Sequence, residues 1–162
     1  MEKTVLCYLE KDHQYLMLFR NKKKHDLNEA KWIGVGGHLE EGESKEDALY
    51  REIFEETGLT INSYEYRGEL LFVNDDFEEI MYLYTSNDFS GSLKECDEGE
   101  LHWVNKDKIM ELNLWEGDKI FFDLLNKDAE FFSLKLVYDK DDRLSKAVLN
   151  GKEYVRENDE TL

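Results

Sequence analysis

With 162 residues, 41% of them apolar, the chain has the length of one domain with a core of its own. Its 21 basic and 38 acidic residues leave a net charge of −17, so nucleic-acid polymers and anionic membrane surfaces would repel it unless a cation intervened. The apolar runs fall short of the roughly 18 residues of a membrane span, no signal-peptide core follows Met1, and Cys7 and Cys96 stand outside any CxxC or Cys/His cluster; together these predict a cytoplasmic protein without disulfides or zinc.

In chain order, residues 4–9 and 14–20 are β-rich runs around Lys11-Asp12-His13, the pattern of a hairpin. Residues 21–31 are polar and loop-like. Residues 32–37 read as one short strand whose glycines at 34, 36 and 37 permit a close approach to the backbone. Ser44 followed by Asp47 predicts a capped helix running to about Thr57, closed by Gly58 in the left-handed C′ position, with Ala48, Leu49 and Ile53 facing inward. Residues 61–73 and 78–85 read as paired strands about a turn at 74–76, and 101–104 as a further strand. A helical turn at 106–111 and a helix over 118–126 with Ile120, Phe121, Leu124 and Leu125 inward come next, then strands at 131–138 and 144–149. The expected organisation is a single domain over residues 1–151 followed by a polar, frayed tail over 152–162.

On the first helix, Glu52 and Glu56 fall nearly in line and Glu55 stands close by. Like charges at this spacing need solvation or a cation, and hard divalent ions take carboxylate and carbonyl oxygens. The 23 residues from Gly37-His38-Leu39-Glu40-Glu41-Gly42-Glu43 to Arg51-Glu52-Ile53-Phe54-Glu55-Glu56-Thr57-Gly58-Leu59 resemble the Nudix box without a departure. The resemblance implies an α/β protein, an α/β/α sandwich with a mixed sheet and a catalytic loop–helix–loop, that hydrolyses a nucleoside diphosphate linked to another group. Trp32 with its glycines, Asp97-Glu98, Trp115-Glu116-Gly117-Asp118 and the late strand look like the MutT-like branch, which acts on oxidised purine nucleoside triphosphates such as 8-oxo-dGTP.

By this resemblance Glu52, Glu55, Glu56, the Gly36 carbonyl and Glu98 bind the metal, Mg²⁺ with Mn²⁺ as alternative, although Glu98 also reads as an ordinary turn residue. Arg51 and Glu43 form a pair that fixes the geometry of the box. Glu52 is the simplest general base, with Glu98 and Glu56 as alternatives. Arg20, Gly37 and His38 lie where the triphosphate would bind, and the lysines at 22–24 read as a solvated loop. His38 stands where relatives often carry Lys, and Ile33 where some carry a polar, base-touching residue. Trp32 reads as a packing residue and the histidines as surface residues. Trp115 is expected to be an exposed aromatic stacking on a purine, and Asp118 either reads the base or N-caps the helix. The expected partner is a small nucleotide, not a polymer or a membrane. The alternative functions are hydrolysis of ADP-ribose or a dinucleoside polyphosphate, and nucleotide binding without turnover.

Overall fold

The structure, a computed structural model, describes residues 1–22 and 28–155. The chain opens with β1 (Glu2–Lys11) and β2 (Gln14–Phe19), joined through Asp12 and His13, whose φ angles of 53° and 61° suit a tight two-residue hairpin turn. These strands pair only at Glu10↔Tyr15 and Lys11↔Gln14 and then diverge. That divergence splits the next strand segment. The predicted single strand over 32–37 is two: β3 (Trp32–Ile33) pairs with β2, and β4 (Val35–His38) pairs with β1, the chain crossing between them at Gly34.

Helix α1 (Lys45–Thr57) has the expected ends: Ser44 Oγ accepts from the Asp47 N–H at 3.1 Å, and Gly58 sits at φ 81° with its N–H donating to the Phe54 carbonyl. Repulsion along a carboxylate face costs a few tenths of a kcal/mol per pair, whereas burying Leu49 or Ile53 stabilises by roughly 2 kcal/mol each, so packing decides that the helix forms. The long hairpin β5 (Leu59–Asn74) and β6 (Phe77–Gly91) extends past its predicted ends. It is followed by β7 (Glu100–Asn105), a 3₁₀ turn (Lys106–Glu111) and α2 (Glu116–Asn126). The chain closes with β8 (Phe132–Tyr138), β9 (Leu144–Leu149) and β10 (Lys152–Glu153). The tail therefore departs from the expected fraying at least as far as Tyr154, whose N–H donates to the Ala147 carbonyl at 2.9 Å and whose ring packs on the core.

The sheet is mixed, in the order β10-β9-β8-β5-β6-β1, with β1–β6 and β5–β8 parallel and the other neighbours antiparallel. Side chains of β1 alternate between two cores. Val5, Cys7 and Leu9 meet Ala48, Leu49 and Ile53 of α1, while Tyr8 meets Ile120, Phe121, Phe122 and Leu125 of α2. The sheet is thus covered by one helix on each face, the sandwich the sequence predicts. Both cysteines are buried free thiols. Among the described residues no helix is long and apolar enough to cross a membrane.

Candidate active site

The capped start of α1 brings its acidic face against β4. Gly37 lies so close to it that a Cβ there would sit 2.4 Å from the Glu52 carboxyl carbon. Arg51 organises the surroundings: its Nε and Nη2 donate to the two oxygens of Glu43 at 2.8 and 2.9 Å. The same guanidinium reaches Glu52 at 2.7 Å, Glu55 at 3.2 Å and the His38 carbonyl at 3.0 Å. A bidentate fork of this kind fixes direction as well as charge. It holds the Glu43 carboxyl down at about 2.

Glu98 arrives from the turn closed by the Cys96↔Gly99 bridge and accepts from Arg20 Nη1 at 2.7 Å. Burial, then the charges of Glu98 and Glu52, push the Glu56 carboxyl up to about 9, against a backbone hydrogen bond from Gly36. Burial likewise raises Glu52, although Arg51 opposes the shift. Glu56 Oε2 is buried without a hydrogen-bond partner among the described residues. An orphaned carboxylate oxygen beside two further carboxylates and a glycine backbone is the donor chemistry a hard divalent cation takes up. As they stand, however, no three His, Cys, Asp or Glu side chains among the described residues converge closely enough to hold an ion. Glu55 departs most from the expected set: its side chain is 57% exposed, turned to Arg51, and it lies outside the cavity that Glu52, Glu56, Glu98 and Gly36 line. Glu55 precedes Glu56 by one residue, about 100° round the helix, and that rotation carries it off the face that meets β4.

That cavity, about 750 Å³, continues from the carboxylates to an apolar end walled by Phe72, Met81, Trp115 and Tyr8. Trp115 is not the exposed platform expected from its loop. It is 5% exposed, meets Phe72 and Tyr138 edge-on, and donates from Nε1 to Asn28 Oδ1 at 2.7 Å, so it is a fixed wall. Asp118 is not a helix cap either, because α2 begins at Glu116 with Trp115 in the N-cap position. It is buried in the cavity, and desolvation raises its carboxyl to about 8, with Lys31 opposing. Arg20 and Gly37 line the carboxylate end of the cavity, beside Glu98 and Glu52. His38 contributes its carbonyl to Arg51 while its exposed ring faces Glu2 at 3.4 Å. Lys22 donates to the Cys96 carbonyl, and Lys23, Lys24 and His25 lie outside the described residues. Trp32 packs on Phe19, as expected of a sheet residue. Phe72, Met81, Glu79, Thr4 and Tyr8 also line the cavity but carry no signal in the sequence, where each reads as one more alternating strand residue.

The two adjacent glycines should fail differently. A Cβ at Gly36 would lie 1.8 Å from the Val5 carbonyl of the neighbouring strand, whereas for one at Gly37 the nearest atoms are those of the Glu52 side-chain carboxyl. Gly36→Ala is expected to lower Tm by several degrees through the β1–β4 pairing, in line with overpacking costs of about 1–3 kcal/mol. Gly37→Ala is expected to melt nearly as the parent while losing at least tenfold in kcat. Melting curves and initial rates on the two variants check both.

A loop–helix–loop of carboxylates thus lies against glycine backbone at one end of a ligand-sized cavity in an α/β sandwich. The NUDIX domain family model matches residues 2–125, and the chain belongs to the Nudix hydrolase family. It is 32% identical over 111 residues to the oxidized purine nucleoside triphosphate hydrolase of Danio rerio, covering 67% of this chain and 71% of that one. Against the Mus musculus protein of the same name it is 30% identical over 125 residues, covering 76% and 80%. A MutT protein crystal structure from Bacillus halodurans superposes with a TM-score of 0.82 at 26% identity, covering 94% of this chain and 99% of that one.

Proposed function

We propose that the protein is a Mg²⁺-dependent pyrophosphohydrolase of purine nucleoside triphosphates, oxidised ones such as 8-oxo-dGTP included, releasing monophosphate and pyrophosphate. The observation that carries this reading is one continuous cavity with carboxylates and glycine backbone at one end and an apolar, aromatic-walled end holding Asp118 at the other. Its size suits a nucleotide. The Danio rerio and Mus musculus relatives support the substrate class.

Glu52, Glu56, Glu98 and the Gly36 carbonyl would hold the cation, Mg²⁺ or Mn²⁺. When bound, it neutralises phosphate oxygens and lowers the pKa of an attacking water. Glu52, which Arg51 braces, would be the general base, with Glu98 and Glu56 as alternatives, and Arg20 adds positive charge beside Glu98. At the other end Asp118, neutral below about pH 8, both donates and accepts a hydrogen bond. That makes it compatible with guanine-type and adenine-type edges, where an ionised carboxylate would favour guanine.

Chromatographic product analysis on about twenty nucleotides with Mg²⁺ tests the reading. Purine triphosphates are expected to exceed ADP-ribose and dinucleoside polyphosphates at least tenfold in kcat/KM; the reverse order, or binding without turnover, would contradict it. Because a cation bound only by the folded state stabilises it, millimolar Mg²⁺ at constant ionic strength is expected to raise Tm by several degrees. An unchanged Tm would count against a site formed by these carboxylates.

A further inference from the structure

Tyr8 lies at the centre of β1 on the α2 side of the sheet and is fully buried. Its ring is gripped by Phe122 at 4.9 Å, and by Tyr15 and Phe121 at 5.7 Å each. Packing of this kind fixes the phenol's direction. A phenylalanine would serve it equally well, so the hydroxyl needs a separate reason. Oη is buried; the Gly34 backbone N–H is directed at it but is not at full hydrogen-bond geometry, and the hydroxyl proton has no acceptor among the described residues. Leaving a buried polar group unpaired is costly, and such groups in native proteins commonly await a ligand or water.

The hydroxyl end of the ring lies beside Gly34, a residue of the cavity wall. A Cβ added at Gly34 would lie 2.9 Å from Tyr8 Cζ and Cε1, so the bare glycine makes room for that end of the ring. Gly34 and Tyr8 both line the cavity, together with Asp118. Around them the wall is Ile33, Phe72, Met81 and Trp115, and the one polar group of Trp115 is already spent on Asn28. The apolar end therefore offers two polar groups that do not satisfy each other, the Asp118 carboxyl and the Tyr8 hydroxyl.

We infer that Tyr8 is a specificity-determining residue, its hydroxyl hydrogen-bonding the edge of a purine base lodged against the Phe72, Met81 and Trp115 wall and read jointly with Asp118. This deepens the proposed function and rests on its assignment of a purine to this end of the cavity. A hydroxyl both donates and accepts, so it can meet a ring carbonyl, a ring nitrogen or an N–H at the same position. A base lacking a partner there would leave the hydroxyl buried and unpaired, which is how such a site rejects an ill-matched ligand.

Tyr8→Phe isolates the hydroxyl. The probes are dGMP and 8-oxo-dGMP, titrated calorimetrically in EDTA, so that neither metal nor turnover enters, with the Tm of the nucleotide-free protein measured in parallel. The variant is expected to bind at least one of the two at least fivefold more weakly than the parent, and to melt at the same temperature or higher, since an orphaned hydroxyl has been removed. Unchanged affinity for both would overturn the role of Tyr8 and leave the proposed function standing. Weaker binding with a lower Tm would also overturn it, by showing that the hydroxyl supports the fold. If the parent binds neither monophosphate, the purine reading falls and this inference falls with it.

Discussion

Replacing Glu56 by Gln is expected to lower kcat/KM by about a thousandfold while making the metal-free protein more stable. Both effects come from one environment. Burial and the charges of Glu98 and Glu52 hold the carboxyl at about 9, so the folded protein retains a proton that the unfolded chain releases above its ordinary value near 4.5. Stability therefore falls as pH rises through the window from about 4.5 to about 9, at up to about 1.36 kcal/mol per pH unit. A glutamine fills the same space without that cost, so its advantage over the parent should grow from pH 5 to pH 9 and be absent near pH 4. Cation binding reverses the order, because the ion takes up the charge that destabilises the parent. Melting curves against pH, with and without Mg²⁺, check the sign, and a variant retaining full rate at limiting Mg²⁺ would remove Glu56 from the site.

The second large effect is expected at Arg51, which touches Glu43, Glu52, Glu55 and the His38 carbonyl at once. Lysine keeps the charge and loses the planar fork, so it cannot satisfy both Glu43 oxygens while also reaching Glu52. Arg51→Lys should lose about 10²-fold in kcat with little change in KM, and Tm should fall by about 5–10 °C because carboxylates are left unpaired. The acid limb carries a further sign. The Glu43 carboxyl is depressed to about 2, so its contribution to stability is present above the ordinary carboxylate value and is lost as pH falls from about 4.5 towards 2. In Arg51→Lys that acid-side loss should shrink. Stopped-assay kinetics and melting between pH 2.5 and 7 measure both.

Much of the site is legible in the sequence because its parts lie within 23 consecutive residues. Helical spacing alone aligns Glu52 with Glu56, and Ser44, Asp47 and Gly58 mark the helix ends through local hydrogen bonding and backbone freedom. The parts that escape depend on contacts between distant segments. The parallel pairing of β1 with β6 sets Thr4 against Met81, and β5 brings in Phe72, a juxtaposition that no local pattern announces. Trp115 misleads for the same reason: its loop position suggests exposure, but Asn28, Phe72 and Tyr138 close over it. Glu55 shows the limit of spacing arguments, which group side chains within about 100° although the surface they face does not. The division of residues 32–38 between two strands follows the divergence of β1 and β2, which pair with different parts of that segment.

The central claim is that water cleaves the bond between the α- and β-phosphates of a purine nucleoside triphosphate. Hydrolysis of 8-oxo-dGTP in ¹⁸O-labelled water with Mg²⁺, with products resolved by mass spectrometry, tests it most directly. The account predicts nucleoside monophosphate and pyrophosphate in equal amounts, with one labelled oxygen in one of the two. Labelled orthophosphate accompanied by the nucleoside diphosphate would contradict it.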